Sequence, residues 1–173
     1  MLDRVSASPA IRPASARDAG AIGAIYDQAI ATGVATFATG PHAANERVAW
    51  LKARGPRAPV WVLDDEDMVL GWSALAPFSH RPWYDGVAEY TVYMAASAMG
   101  RGLGGRMLDA LIAEAPGLGY WKLVGMIVEG NAGGLALATS RGFRSVGTHL
   151  AHGRVDGHWR DVTVLELHIA AAA

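Results

Sequence analysis

Between Val92 and Ile112 the chain reads VYMAASAMGRGLGGRMLDALI, an apolar, strand-like segment that turns through closely spaced glycines into a helical pattern. Val92, Tyr93, Met94 and Ala95 lead into glycines at 100, 102, 104 and 105. Leu103, Met107, Leu108, Leu111 and Ile112 then share one helix face, with Arg106, Asp109 and Glu114 off it. Where a strand turns into a helix start, unpaired backbone N–H groups and the positive end of the helix dipole meet at one point. Such a point suits a phosphate group. Glycine serves it because a Cβ would hold the ligand away from the backbone. The plainer reading is a tight connection that needs positive φ.

Two sharper phosphate motifs are excluded. A P-loop needs Gly-Lys-Ser/Thr after its glycines, and no lysine lies between Lys52 and Lys122. The dinucleotide fingerprint needs Gly-x-Gly-x-x-Gly in an early βαβ unit, with an acidic residue about 20 positions on. Here the spacing is Gly100-Arg-Gly102-Leu-Gly104-Gly105, mid-chain, and Glu129 lies too far downstream.

Composition removes further classes. At 173 residues, 51% of them hydrophobic, the chain is expected to fold as one globular domain over residues 11–169, with tails at 1–10 (loose) and 170–173. A net charge of −1 with dispersed signs offers neither a nucleic-acid stripe nor a basic membrane helix. The absence of cysteine excludes disulfides, thiolate metal sites and a cysteine nucleophile. No apolar run reaches membrane-spanning length and no signal peptide is legible, so a soluble cytoplasmic protein is expected.

Periodicity predicts the order β-α-α-β-β-β-α-β-α-β-β. A strand starts at Ile11-Arg12, Ser15-x-x-Asp18 has the form of a capping box, and Ile22, Ile25, Tyr26, Ala29 and Ile30 repeat at helical spacing. Pro41 opens a second helix carrying Val48, Ala49, Trp50 and Leu51. Val60–Leu63 and Met68–Leu75 read as strands around a solvated turn, Asp64-Asp-Glu-Asp67, that lacks the ligand spacing of a calcium loop. Pro77 to Asp85 is an irregular loop in which Arg81, beside Trp83 and Tyr84, is placed to clamp a carboxylate or to stand as an ordinary surface arginine.

Along the strand Ala88–Met94, alternation puts Glu89, Thr91 and Tyr93 on one face and Tyr90, Val92 and Met94 on the other. Glu89 is acidic in an apolar strand. If buried, its pKa rises toward that of a general base working near pH 7; if at an edge or ion-paired, it is structural. Trp121–Val128 reads as a buried strand, and Asn131 as the N-cap of a helix over Ala132–Ser140. Strands at Phe143–Leu150 and Arg160–Ile169, joined through Gly153–Gly157, complete the pattern. His149 and His152, three apart on a strand, are expected on opposite faces and hold no metal.

Met99-Gly-Arg-Gly102-Leu-Gly104 resembles the pyrophosphate loop of the GNAT N-acetyltransferase superfamily, Arg/Gln-x-x-Gly-x-Gly/Ala, with Met99 in place of the opening residue. Ile11-Arg-Pro-Ala, Phe78-Ser-His-Arg81-Pro-Trp-Tyr84, Glu89-Tyr-Thr-Val-Tyr93, Asn131 with Gly142-Phe143, and Gly157-His-Trp-Arg-Asp161-Val are similar to segments of its phosphinothricin and methionine sulfoximine acetyltransferases. The resemblance runs from about Ile11 to Leu167. It implies an α/β fold, a mixed, mostly antiparallel sheet with helices on both faces, splayed where acetyl-CoA enters. It further implies acetyl transfer to the primary amine of a small amino-acid-like acceptor, with Glu89 as base and no metal.

By the same resemblance, backbone at Val92, Tyr93 and Met94 receives the thioester. The loop Met99, Gly100, Arg101, Gly102, Leu103, Gly104, Gly105 and Arg106 receives the pyrophosphate, and Asn131 meets the pantetheine or acceptor. Phe37, Arg81, Tyr84 and Glu89 face the acceptor. Ser79 replaces an arginine of the subfamily, and Ala138 stands where the superfamily often has a tyrosine or histidine, so no general acid is available there. These departures keep two alternatives open: a transferase for another amine, such as a protein N-terminus or aminoglycoside, and a non-catalytic acyl-CoA sensor. The subfamily and the six tryptophans point to a homodimer.

Overall fold

Apolar alternation and helical periodicity produce the expected order of elements in the computed structural model, which describes residues 8–41, 43–66 and 68–169. They are β1 (Ala10–Pro13), α1 (Ala19–Ala31), α2 (Ala44–Lys52), β2 (Val60–Asp65), β3 (Met68–Pro77), β4 (Val87–Met94), α3 (Leu103–Glu114), β5 (Lys122–Val128), α4 (Ala132–Ser140), β6 (Arg144–Val155) and β7 (His158–His168). One seven-stranded sheet runs β1-β2-β3-β4-β5-β7-β6. Every neighbouring pair is antiparallel except β4 with β5, because the crossover through α3 returns the chain in the same direction. The fold is a mixed α/β sheet of the expected, mostly antiparallel kind.

Helices cover both faces. Ile22 and Ile25 of α1 pack on Val60, Val62, Trp72 and Ala74. On the opposite face Leu108 and Leu111 of α3, with Ala138 of α4 and Phe143, cover Leu75, Ala88, Leu123 and Leu165. Met107, Leu108 and Leu111 are fully buried. Burial of each contributes about 1.5–3 kcal/mol, which outweighs the cost of about 1 kcal/mol for each glycine in the first turn of α3. A glycine-rich helix start is therefore stable here because its later turns are anchored.

Several local expectations change. The connection expected at Gly153–Gly157 contracts to Asp156-Gly157, since β6 runs on to Val155 and β7 begins at His158. Both turn residues have positive φ, 48° and 82°, as a two-residue hairpin requires. The register of β6 slips between His149 and Gly153, where Ala151 has φ 49°. This bulge brings His149 and His152 to one side, with rings stacked 4.5 Å apart, not on opposite faces. Among the described residues no group of three or more His, Asp or Glu is arranged to hold a metal. The second helix starts at Ala44 and not at Pro41. β1 already includes Ala10, while residues 1–7 and 170–173 of the expected tails, and Asp67 of the acidic turn, lie outside the described residues. Among the described residues no helix is long and apolar enough to cross a membrane.

Candidate active site

The parallel ladder between β4 and β5 is short. Val87, Ala88 and Glu89 pair with Lys122, Leu123 and Val124, and then the strands part. On the other side β4 stays paired with β3 as far as Met94. In that antiparallel ladder the odd residues point their backbone groups at β3, as the bonds from Phe78 N–H to the Val87 carbonyl and from Ala95 N–H to the Leu70 carbonyl require. The N–H groups of Val92 and Met94 therefore face the gap, that of Tyr90 being taken up by the last rung of the parallel ladder, whereas that of Tyr93 is turned to β3. Across the gap, the bond from Glu129 N–H to the Asp161 carbonyl fixes the odd residues of β5 toward β7, which leaves Met126 facing β4. Parting of the two strands frees donors and acceptors on both sides of one slot.

This slot is a cleft of about 440 Å³. One wall is β4 from Glu89 to Met94, the other Met126 and Ile127 of β5, and the glycine loop lies at its end. Gly100 and Gly102 both have φ 73°, and a Cβ built on either meets nothing within 4 Å. Their glycines thus serve the left-handed backbone, and the space above the loop is open. Gly102 caps α3 without a side-chain hydrogen bond. No backbone acceptor is found among the described residues for the N–H groups of Arg101, Gly102, Leu103 and Gly104. Gly105 has a different duty: a Cβ there would fall 1.8 Å from Nη2 of Arg141, whose guanidinium bonds Asp109 one turn along α3. A second helix start meets the same cleft. Asn131 caps α4 by accepting from Gly134 N–H at 2.8 Å, and Asn131, Gly133 and Gly134 line the slot. Two dipole ends and a row of unmet N–H groups meet at this cleft, an arrangement that suits an anionic group.

Glu89 stands where the ladder ends. It is half-buried, lines the cleft, and its carboxyl has no hydrogen bond or ion pair among the described residues. Desolvation by burial raises its pKa above the usual carboxylate range. Alternation along β4 holds: Tyr90 packs on Phe143 at 5.0 Å, and Tyr93 on Tyr26 and Trp72 at 5.1 and 5.0 Å. Burial likewise pushes the Tyr90 phenol up to about 12. Ala138 is fully buried beside Tyr90 and Phe143, so α4 presents no proton donor from that position.

The cleft gathers Glu89, Val92, Tyr93, Met94, Met99, Gly100, Gly102, Leu103, Gly104, Gly105 and Asn131. Arg101 is exposed and outside the lining. Arg106 is turned away, donating to the Pro9 carbonyl at 2.7 Å. Arg81 and Tyr84 sit on the exposed loop beyond the cleft, Arg81 N–H bonding Ser79 Oγ at 3.2 Å. Phe37 lies on β6, its ring 2.3 Å from where a Cβ of Gly153 would be, so the α1–α2 segment reaches the last hairpin. Within that segment Ala35 lines the cleft instead, held by Tyr93 Oη donating to its carbonyl at 3.3 Å. Sequence reasoning missed Thr91, Met126, Gly133 and Gly134. The signal for the last two was present, since Gly133-Gly134 after Asn131 repeats the pattern of glycines at a helix start.

Residues 22–143 match the acetyltransferase (GNAT) family. The chain belongs to that family. It is an acetyl-CoA-dependent N-acetyltransferase. Among similar GNAT proteins is the L-methionine sulfoximine/L-methionine sulfone acetyltransferase of Pseudomonas paraeruginosa, 32% identical over 94% of this chain and 95% of that protein. The phosphinothricin N-acetyltransferase of Streptomyces viridochromogenes is 31% identical over 88% of this chain and 83% of that one. The crystal structure of a GNAT phosphinothricin acetyltransferase from Sinorhizobium meliloti in complex with acetyl-CoA superposes with TM-score 0.87 at 26% identity, covering 96% of this chain and 93% of that chain.

Proposed function

We propose that this enzyme moves an acetyl group from acetyl-CoA to the primary amine of a small amino-acid-like acceptor, of the phosphinothricin, methionine sulfoximine or methionine sulfone type. Transfer is by direct attack with both substrates bound. The observation that carries the mechanism is the place of Glu89: an unpaired carboxyl of raised pKa at the point where β4 and β5 part. Attack requires a neutral amine, and Glu89 takes the ammonium proton directly or through one water. The nitrogen lone pair adds to the thioester carbonyl carbon. N–H groups of Val92 or Met94, released by the same parting, stabilise the oxyanion. The C–S bond then breaks, the nitrogen gives up its second proton to solvent to leave a neutral amide, and the coenzyme thiolate takes a proton from solvent. The Gly100–Gly105 turn receives the diphosphate, and the cap of α4 at Asn131 borders the pantetheine.

The curated relatives support the acceptor class, since those reported above are named for such amino-acid analogues. We also propose a homodimer, supported by the exposure of Val146, Leu150 and Trp159 on the β6–β7 hairpin. A thiol-release assay with acetyl-CoA and a panel of amines tests the function. Turnover of phosphinothricin or methionine sulfone well above that of peptide N-termini and aminoglycosides is expected; the reverse order would move the enzyme to another acceptor class.

A further inference from the structure

On the sheet face that carries α1 and α2, a second hollow of about 230 Å³ lies between α2 and strands β3 and β4. Tyr26, Trp50, Trp72 and Tyr93 form much of its wall, together with Arg47 and Arg54. Among the described residues no carboxylate lines it. Thr91 and Tyr93 line both this hollow and the acetyl cleft, so the two meet along β4. Ala76, another wall residue, is the register partner of Glu89. A group seated in the hollow is thus next to the base.

Arg47 is unusual in this setting. It is only 7% exposed, and its guanidinium lies 4.5 Å from the ring centroid of Tyr26 and 5.4 Å from that of Trp50. Its Nε and Nη2 are buried without a hydrogen-bond partner, and no carboxylate pairs with it among the described residues. Arg54 differs, since its Nε donates to the Ala58 carbonyl at 2.8 Å and its Nη2 to the Leu75 carbonyl. Aromatic contacts satisfy the faces of the Arg47 guanidinium but do nothing for its in-plane donors. A buried cation with unmet N–H groups is strongly unfavourable, and a planar anion beside it removes that penalty. Carboxylate matches the guanidinium fork in shape and charge.

We propose that Arg47 anchors the carboxylate of the acceptor, with the aromatic wall flanking its α-carbon and the amine directed toward Glu89. This rests on the amino-acid-like acceptor proposed above, and it moves the carboxylate anchor from the exposed Arg81 to α2. The test compares methionine sulfone, whose one anionic group is its carboxylate, with 3-(methylsulfonyl)propan-1-amine, which lacks it. The wild-type enzyme is expected to prefer the amino acid. Arg47→Met should lower kcat/KM for methionine sulfone about a hundredfold, leave the amine within about threefold, and leave the KM for acetyl-CoA unchanged. Arg47→Lys, which keeps the charge without the fork, should fall between, and melting temperature reports whether each variant folds. Equal losses on both substrates, or discrimination abolished by Arg81→Met and retained in Arg47→Met, would overturn the assignment while the acceptor class stands. If the wild-type enzyme acetylates neither compound nor any other amino acid in the panel, the acceptor class itself is wrong and Arg47 loses this role with it.

Discussion

Glu89 and Val124 are the last residues that pair across the parallel ladder between β4 and β5. One backbone event, the parting of the strands just beyond them, creates the slot, frees the N–H groups of Val92 and Met94, and leaves the Glu89 carboxyl partly desolvated without a partner. Position, exposed donors and raised proton affinity are consequences of the same sheet geometry.

Replacement of Glu89 by glutamine tests this directly. Loss of a general base typically costs about a hundredfold to ten-thousandfold, so kcat/KM should fall by that order while the KM for acetyl-CoA stays close to wild type. In the wild-type enzyme the acid limb of the kcat/KM profile should rise through a pKa above the usual glutamate range, and Glu89→Gln should remove that limb. Stability should move the other way. Because the folded-state pKa is raised, the carboxyl favours folding below its unfolded pKa, and that contribution is lost as pH rises through the folded value. Glu89→Gln should therefore melt higher than wild type near pH 8, with the gap closing by pH 4. An unchanged rate near pH 7 would remove Glu89 from the chemistry.

The glycine turn makes a separable prediction. Gly102→Ala places a methyl in space that the protein leaves open, at a φ of 73° that costs an L-residue about 1–2 kcal/mol. The KM for acetyl-CoA should rise at least tenfold, because the methyl enters the space above the free N–H groups, with only a small drop in melting temperature. Gly105→Ala is the contrasting variant. Its methyl meets the flexible end of Arg141, so it should disturb the Arg141–Asp109 pair and raise the coenzyme KM much less than Gly102→Ala does. Substrate titrations with both variants, read beside thermal melts, distinguish a phosphate berth from a tight turn.

Much of this site was legible because short-range rules governed it. Gly100 and Gly102 needed left-handed backbone, alternation placed Glu89 with Tyr93, and the period of Leu103, Met107 and Leu111 anchored the helix that the loop enters. Other features depended on pairing that no local pattern encodes. The stacking of His149 on His152 follows from the slip at Ala151, where an extra residue undoes the alternation that predicts opposite faces. Arg47 was hidden for another reason. Arginine is seldom buried, so in a helix whose apolar residues are Val48, Trp50 and Leu51 it reads as solvent-facing. Yet it is the one residue of α2 that is buried. Arg81, the arginine that resemblance selected, is exposed instead.

The entrance to α1 offers a prediction about stability alone. Asp18 is 4% exposed and accepts from Arg12 Nη1 and Nη2 at 2.9 and 2.8 Å, and from Ser15 N–H at 2.7 Å. Arg12 also bonds Asp64 through Nε at 2.6 Å, so one guanidinium ties β1 to both the helix entrance and the end of β2. The Arg12 guanidinium, opposed by burial but reinforced by Ser15, lowers the pKa of Asp18 to about 2. A depressed folded-state pKa means that the stabilisation is present above the ordinary aspartate range and is lost as pH falls toward 2. Asp18→Ala leaves a half-buried cation without its main partner and should cost about 3 kcal/mol or more at pH 7. Asp18→Asn keeps some of the hydrogen bonding and should cost less. Denaturant unfolding at pH 7 and pH 2.5 measures both, and the difference between wild type and Asp18→Asn should shrink at the lower pH. These residues lie across the sheet order from the β4–β5 slot, so kcat at a temperature where the variants remain folded should match wild type.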